Sequence, residues 1–231
     1  MSISRRRFLA GSGTAAVGLL VPEALRGRDS RPATRPPPPH PSKRSPTQLP
    51  NDRFDPWIEV DPDALAFNVG VLSGLTAGRP VLAVIKNNGY GLGLTTVGKI
   101  LEALPEVVGL AVVKTEAALA LREAGIQKPV LLMALFGDRD GPELVARDVQ
   151  LCLTTDDAAD RIARAEAGAG KKARTHIYLD TGMSRMGIPF HRALPWMEGL
   201  KARGVQPEST FMGFTEDVDY DRIQLSRFLA V

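Results

Sequence analysis

The stretch Pro80-Val-Leu-Ala-Val-Ile-Lys-Asn-Asn-Gly-Tyr-Gly-Leu-Gly93 constrains the fold of this chain more than any other. Val81 to Ile85 is an unbroken apolar run, the pattern of a strand covered on both faces of a parallel sheet. Such a strand delivers Lys86 at its carboxyl end, where the βα loops of a (β/α) barrel gather above a packed interior. A lysine kept partly from water there has an amine able to attack a carbonyl carbon and form a Schiff base. Gly89, Gly91 and Gly93 allow the backbone to turn tightly beside it. The competing reading is a solvated lysine that merely ends a strand, because Gly-x-Gly-x-Gly alone is a weak signal.

From residue 54 onward the chain alternates strands and helices. Residues 55–60 read as a strand, Asp61 as a helix cap with Pro62 at the first helical position, and Leu65, Val69, Leu72 and Leu75 as one apolar helix face. After the lysine strand, helices are predicted over 94–104, 116–124, 142–147, 157–167 and 193–203, with a last one after 219. Strands are predicted over 107–113, 129–135, 150–155, 174–179 and 209–214. Counted from the lysine strand, this makes six βα repeats with short connections, which predicts a parallel sheet with helices outside. No Rossmann fingerprint is present, which favours a barrel over a doubly wound sheet. A closed barrel of this class uses eight strands. The expected fold is therefore α/β, a (β/α) TIM-type barrel that is incomplete by about two repeats. Open edges on its first and sixth strands would make the isolated chain associate or dissolve poorly.

A second motif, Asp180-Thr-Gly-Met-Ser-Arg-Met-Gly187, directly follows the strand that ends at Leu179 and so belongs to the same carboxyl edge. Arg185 offers a bidentate fork for a substrate carboxylate, and Gly182 and Gly187 let the loop fold closely. Taken alone, Asp-Thr-Gly after a strand reads equally well as an ordinary helix cap.

Together the two motifs change the weighing. Ala83-Val-Ile-Lys-Asn-Asn-Gly-Tyr-Gly-Leu-Gly93 resembles the cofactor-lysine signature of the alanine racemase family, the fold-type III pyridoxal-phosphate enzymes. The 180–187 motif resembles that family's Asp-Thr-Gly-Met-x-Arg-x-Gly element, in the same order and strand context. Weaker similarities at 116–125 and at Gln224-Leu-Ser-Arg-Phe228 extend the resemblance from about residue 55 onward. It implies pyridoxal 5'-phosphate as cofactor, Lys86 as its covalent anchor and catalytic base, Tyr90 as a contact to its phosphate, and Arg185 as a substrate-binding residue. It also implies an amino-acid substrate, alanine by default, and a homodimer.

Several positions depart from the family pattern. Tyr178 stands where many members have a lysine that buttresses the arginine, Gly213 where they have a histidine packed on the pyridine ring, and Leu92 where they often have a histidine. The last barrel strands and the C-terminal β-domain, which brings the second catalytic base, have no counterpart in these residues. Two functions are thus carried forward: an exported pyridoxal-phosphate-dependent amino-acid racemase represented by an incomplete chain, and a degenerate, non-catalytic barrel that binds the cofactor.

Before the barrel, composition shifts twice. Ser4-Arg-Arg-Arg-Phe-Leu-Ala10 and the small, apolar run from Gly11 to Val21 look like a twin-arginine secretory signal over 1–21, with an amphipathic helix as the alternative. This predicts an exported, periplasmic protein that meets the twin-arginine export machinery and stays tethered to the membrane if the signal is uncleaved. Residues 22–53, rich in proline and arginine with Pro36 to Pro39 in a row, read as an extended linker before the domain at 54–231. Residues 1–53 hold 10 Lys+Arg against 3 Asp+Glu, a net of +7, while 54–231 hold 19 against 23, a net of −4. The basic balance lies in the leader, so it makes no case for nucleic-acid binding. The single cysteine, Cys152, reads as a small core residue and excludes an internal disulfide. His40, His176 and His191 lack ligand spacing, so no metal site is expected.

Overall fold

The computed structural model describes residues 58–231. The expected signal over 1–21 and linker over 22–53 lie outside the described residues, as does most of the strand expected at 55–60. The described remainder of that strand, Ile58 to Val60, is irregular, and Ile58 is 67% exposed. None of the strand pairings among the described residues includes these positions, so they lack the hydrogen-bonded partner that a strand requires.

Helix α1 (Pro62–Leu75) begins where the sequence predicts. Asp61 Oδ1 accepts hydrogen bonds from the amides of Asp63 (2.9 Å) and Ala64 (3.2 Å), and Pro62 fills the first helical position, where no N–H is needed. Of the apolar face expected for α1, only Val69 is buried; Leu72 and Leu75 are exposed, because the described chain covers this helix only around Val69.

The chain then alternates β1 (Val81–Val84), α2 (Leu94–Glu102), β2 (Val107–Val112), α3 (Thr115–Glu123), β3 (Val130–Leu132), α4 (Gly141–Ala146), β4 (Val149–Leu153), α5 (Ala158–Ala169) and β5 (Thr175–Asp180). The two-residue strand β6 (Ile188–Pro189), α6 (Ala193–Ala202), β7 (Ser209–Phe211) and α7 (Val218–Leu229) complete it. Every strand pairing is parallel, in the order β1-β2-β3-β4-β5-β7, while β6 pairs with Leu179 and Asp180 at the end of β5. This is the predicted open (β/α) barrel with six repeats. β3 and β7 are shorter than expected, with three residues each.

Alternation along the strands separates two faces. Leu110, Val112, Leu132, Leu151 and Ile177 join the helices in one buried apolar cluster. The opposite face turns to the lumen, where Ala111, Leu131, Cys152 and Tyr178 are buried. β1 departs from the prediction of a strand covered on both faces: Leu82 and Val84 are 43% and 39% exposed. Paired with Gly109 and Ala111 in register, they share the lumen face at the open edge of the sheet. β4, buried at all five positions, occupies the environment expected for β1.

Cys152 is the core residue predicted, and burial pushes its thiol pKa up to about 12 against a smaller opposing hydrogen bond with the Tyr178 backbone. His176 lies at the amino-terminal end of the lumen, with Nδ1 2.8 Å from Ser209 Oγ. The Gln150 amide, turned with its nitrogen toward His176, donates to Nε2 (2.8 Å) while its oxygen accepts from Arg174 (2.9 and 3.1 Å). Burial lowers the pKa of His176; Glu208 opposes that shift and the Arg174 charge adds to it.

Candidate functional site

Lys86 follows Ile85, the last residue of the lysine strand tied to the sheet, whose amide donates to Ala111 O at 2.9 Å. Ile85 is buried, whereas Lys86 is half-buried. The chain then coils left-handed. Asn87 (φ 53, ψ 50), Asn88 (φ 56, ψ 46) and Gly89 (φ 62, ψ 38) make one turn, and Tyr90 (φ 55) and Gly91 (φ 89) continue it. A left-handed residue other than glycine costs about 1–2 kcal/mol, least for asparagine, so a run of them persists only where the surroundings over-determine it. Here they do. The amide of Gly89 donates to Ile85 O (3.1 Å), that of Gly93 donates to Asn88 O (2.9 Å), and that of Leu94 donates to Asn88 Oδ1 (2.9 Å). Asn88 therefore closes the turn with its main-chain carbonyl and holds the first amide of α2 with its side chain. The glycines were legible as turn residues; the left-handed turn itself was signalled by the paired asparagines, which tolerate this region.

The effect is to leave Lys86 at the carboxyl edge, with no hydrogen bond or ion pair to any described residue. Tyr90, in the same turn, stands 61% exposed.

The second motif forms a loop after β5, and the helix-cap reading of Asp180 is overturned. No helix follows; instead Asp180 Oδ1 accepts from the amides of Gly182 and Ser184, both at 2.9 Å, folding the loop onto the strand end. Arg185 is exposed and, like Lys86, has no partner among the described residues. Lys86 and Arg185 share the carboxyl edge of one parallel sheet, on β1 and β5, with β2, β3 and β4 between them. Among the described residues no hydrogen bond or ion pair joins either of them to the other or to Tyr90. A third unpartnered group ends β4 at the same edge: the Thr154 hydroxyl is buried without a hydrogen bond.

Tyr178 lies beneath the arginine loop. Its ring packs edge-on against Phe211 with centroids 4.9 Å apart, and its hydroxyl donates to Met183 Sδ at 4.0 Å, with no other hydrogen-bond partner among the described residues. From α7, Gln224, Tyr220 and Arg227 reach the same loop, contacts that the sequence reading missed. Their i, i+4, i+7 spacing, a polar stripe on one helix face, was the available signal.

Two concavities of the described chain lie away from these loops. One, of about 460 Å³, runs between α6 and β7; the other, of about 470 Å³, lies at the amino-terminal edge beside Arg122, Arg147 and Arg174. Neither includes Lys86, Tyr90 or Arg185. The chemistry-bearing loops form an open edge.

A family model described as the alanine racemase N-terminal domain matches residues 60–231. The chain belongs to the alanine racemase family. Alanine racemase 1 of Oceanobacillus iheyensis is 34% identical over 170 residues, covering 72% of this chain and 44% of that protein. The alanine racemase of Desulforamulus reducens is 31% identical over 183 residues, covering 76% and 49%. The solved alanine racemase from Streptomyces lavendulae superposes with a TM-score of 0.66 at 27% identity, over 74% of this chain and 47% of that one. The chain spans just under half the length of these relatives. Alanine racemases are pyridoxal-phosphate enzymes, and the residues here suit that group. An unengaged amine on an over-determined turn, an unengaged guanidinium and a buried orphan hydroxyl share one edge of the barrel.

Proposed function

We propose that these residues form the cofactor-holding barrel of a pyridoxal-phosphate-dependent amino-acid racemase, with alanine as the default substrate. The observation that carries this reading is Lys86, unpartnered at the carboxyl edge and presented by a left-handed turn. Pyridoxal phosphate, when bound, supplies an electron-withdrawing ring that acidifies the α-hydrogen of an amino acid. Lys86 Nζ anchors it covalently and, when free, takes or returns the α-proton on one face of the substrate. The Tyr90 hydroxyl donates to its phosphate. Arg185 forks the substrate carboxylate. The family leads one to expect a second acid/base on the opposite face of the substrate and a homodimer. The Arg5-Arg6-Arg7-Phe8-Leu9 sequence supports export to the periplasm by the twin-arginine machinery.

A second reading, a barrel that holds the cofactor without racemising, draws support from Tyr178, which fills the lumen beneath the arginine loop. One experiment separates the two. The purified chain is reduced with borohydride in the presence of pyridoxal phosphate, its peptides are mass-mapped, and D-alanine production from L-alanine is assayed on the same sample. A phosphopyridoxyl group on Lys86 with turnover establishes the racemase. The label without turnover shows that these residues hold the cofactor but do not by themselves supply the second acid/base, and no label on Lys86 overturns both.

A further inference from the structure

The loop that carries Arg185 is held from above by one face of α7. Arg227 Nη1 donates to Thr181 O (2.8 Å) and to Tyr220 Oη (3.2 Å), and Tyr220 Oη donates in turn to Gly182 O (3.3 Å). The Arg227 guanidinium lies 4.9 Å from the Phe190 ring centroid and 5.7 Å from that of Tyr220, so the two rings fix its plane. Gly182 is the residue this contact demands. A Cβ there would stand 2.8 Å from Arg227 Nη1 and closer still to Tyr220 Oη, and its φ of +135° is open only to glycine. One turn back, Gln224 is fully buried. Its Nε2 donates to Thr181 Oγ1 (3.3 Å) and Gly213 O (3.0 Å), while its Oε1 accepts from the amide of Thr215 (3.1 Å). An arginine that binds a backbone carbonyl between two aromatic rings, with no carboxylate partner among the described residues, gives up a salt bridge to hold a loop.

We propose that Arg227, with Gln224 and Tyr220, is a positioning residue: it sets the 181–187 loop and through it the place where the Arg185 guanidinium meets a substrate carboxylate. The α7 helix is thereby part of the substrate site although no residue of it touches the substrate. This rests on the reading of Arg185 as the carboxylate fork.

The test uses the full chain loaded with pyridoxal phosphate and propionate as a non-reactive carboxylate, followed by the change in absorbance of the bound cofactor. Arg227→Leu, Arg185→Ala and their double variant are compared, each verified as folded by its melting transition. Arg227→Leu keeps borohydride labelling of Lys86 within about twofold, because β1 is a separate element, and weakens propionate about tenfold or more, because a small misplacement of the fork is costly. The double variant binds propionate no worse than Arg185→Ala alone, since Arg227 acts only through Arg185. Unchanged propionate binding in folded Arg227→Leu, or losses that add in the double variant, overturns the proposal. If wild type binds propionate without needing Arg185, or Lys86 takes no label, the functional reading fails instead. Amide hydrogen exchange at Gly182 and Ser184 then decides the brace: faster exchange in Arg227→Leu sustains it, and unchanged exchange removes it.

Discussion

The phenol of Tyr178 occupies the space above Gly213, where a Cβ would come within 2.5 Å of Tyr178 Oη and 3.2 Å of Met183 Sδ. The same ring bars a side chain at Gly187, whose Cβ would stand 2.4 Å from Tyr178 Cδ1. Tyr178, Gly213 and Gly187 are therefore one packing unit. The bulky residue fits because its neighbour has no side chain.

This unit predicts strong coupling. Gly213→Ala should destabilise by about 1–3 kcal/mol through overpacking, and Tyr178→Ala by about 3 kcal/mol through the cavity it leaves. The double variant should lose at least about 0.5 kcal/mol less than the sum, because the alanine at 213 then meets no phenol. Urea unfolding of the four proteins measures the cycle; strictly additive losses would show that the two residues do not share this space.

Asn88 predicts a separation of two effects within the lysine turn. Asn88→Gly removes the Oδ1 bond to Leu94 and keeps the left-handed backbone easy, so it should cost only a few tenths of a kcal/mol. Asn88→Ala removes the same bond and adds strain at φ +56°, for a total about 1–2 kcal/mol larger. Equal melting temperatures for the two variants would mean that the turn is not left-handed in solution.

His176 predicts acid sensitivity. Burial holds its pKa below the ordinary 6.5, so the folded chain binds less proton than the unfolded chain just below that value. Stability is fully present above about pH 7 and is lost as pH falls through the window beneath 6.5. Glu208, depressed by its hydrogen bonds with Arg174, acts in the same direction, but only below its ordinary 4.5. The melting temperature should fall between about pH 7.5 and pH 5.5 in wild type, and the fall should be smaller in His176→Gln, which retains hydrogen-bonding groups toward Ser209 and Gln150. A melting temperature that rises over this interval contradicts the assignment.

Cys152 predicts a silent thiol. With its pKa pushed up to about 12 and its side chain buried, it forms almost no thiolate at neutral pH and presents no surface to a reagent. Reaction with a disulfide reagent should be negligible in the folded chain and rapid in about 6 M guanidinium, so its rate reports global opening. Prompt labelling under native conditions would place Cys152 outside the core.

Much of this molecule was written in local sequence. Asp61 and Pro62 determine where α1 begins because cap and proline chemistry act within four residues. The alternation of short apolar runs with helical periods determined six parallel repeats, since only that layering buries both. The two motifs placed Lys86 and Arg185 at strand ends, and the structure puts both on one carboxyl edge. Tertiary structure alone decided the rest. The apolar run of β1 looks the same whether the strand is central or at an edge, so only its pairing could reveal that Leu82 and Val84 face an open lumen. Asp180 reads as a helix cap or a loop clamp in sequence, and only the amides it meets distinguish them. Tyr178 over Gly213, and Arg227 on Thr181, join residues 35 and 46 positions apart. No local rule reaches that far, because such contacts exist only once the sheet has curved and α7 has packed across its end.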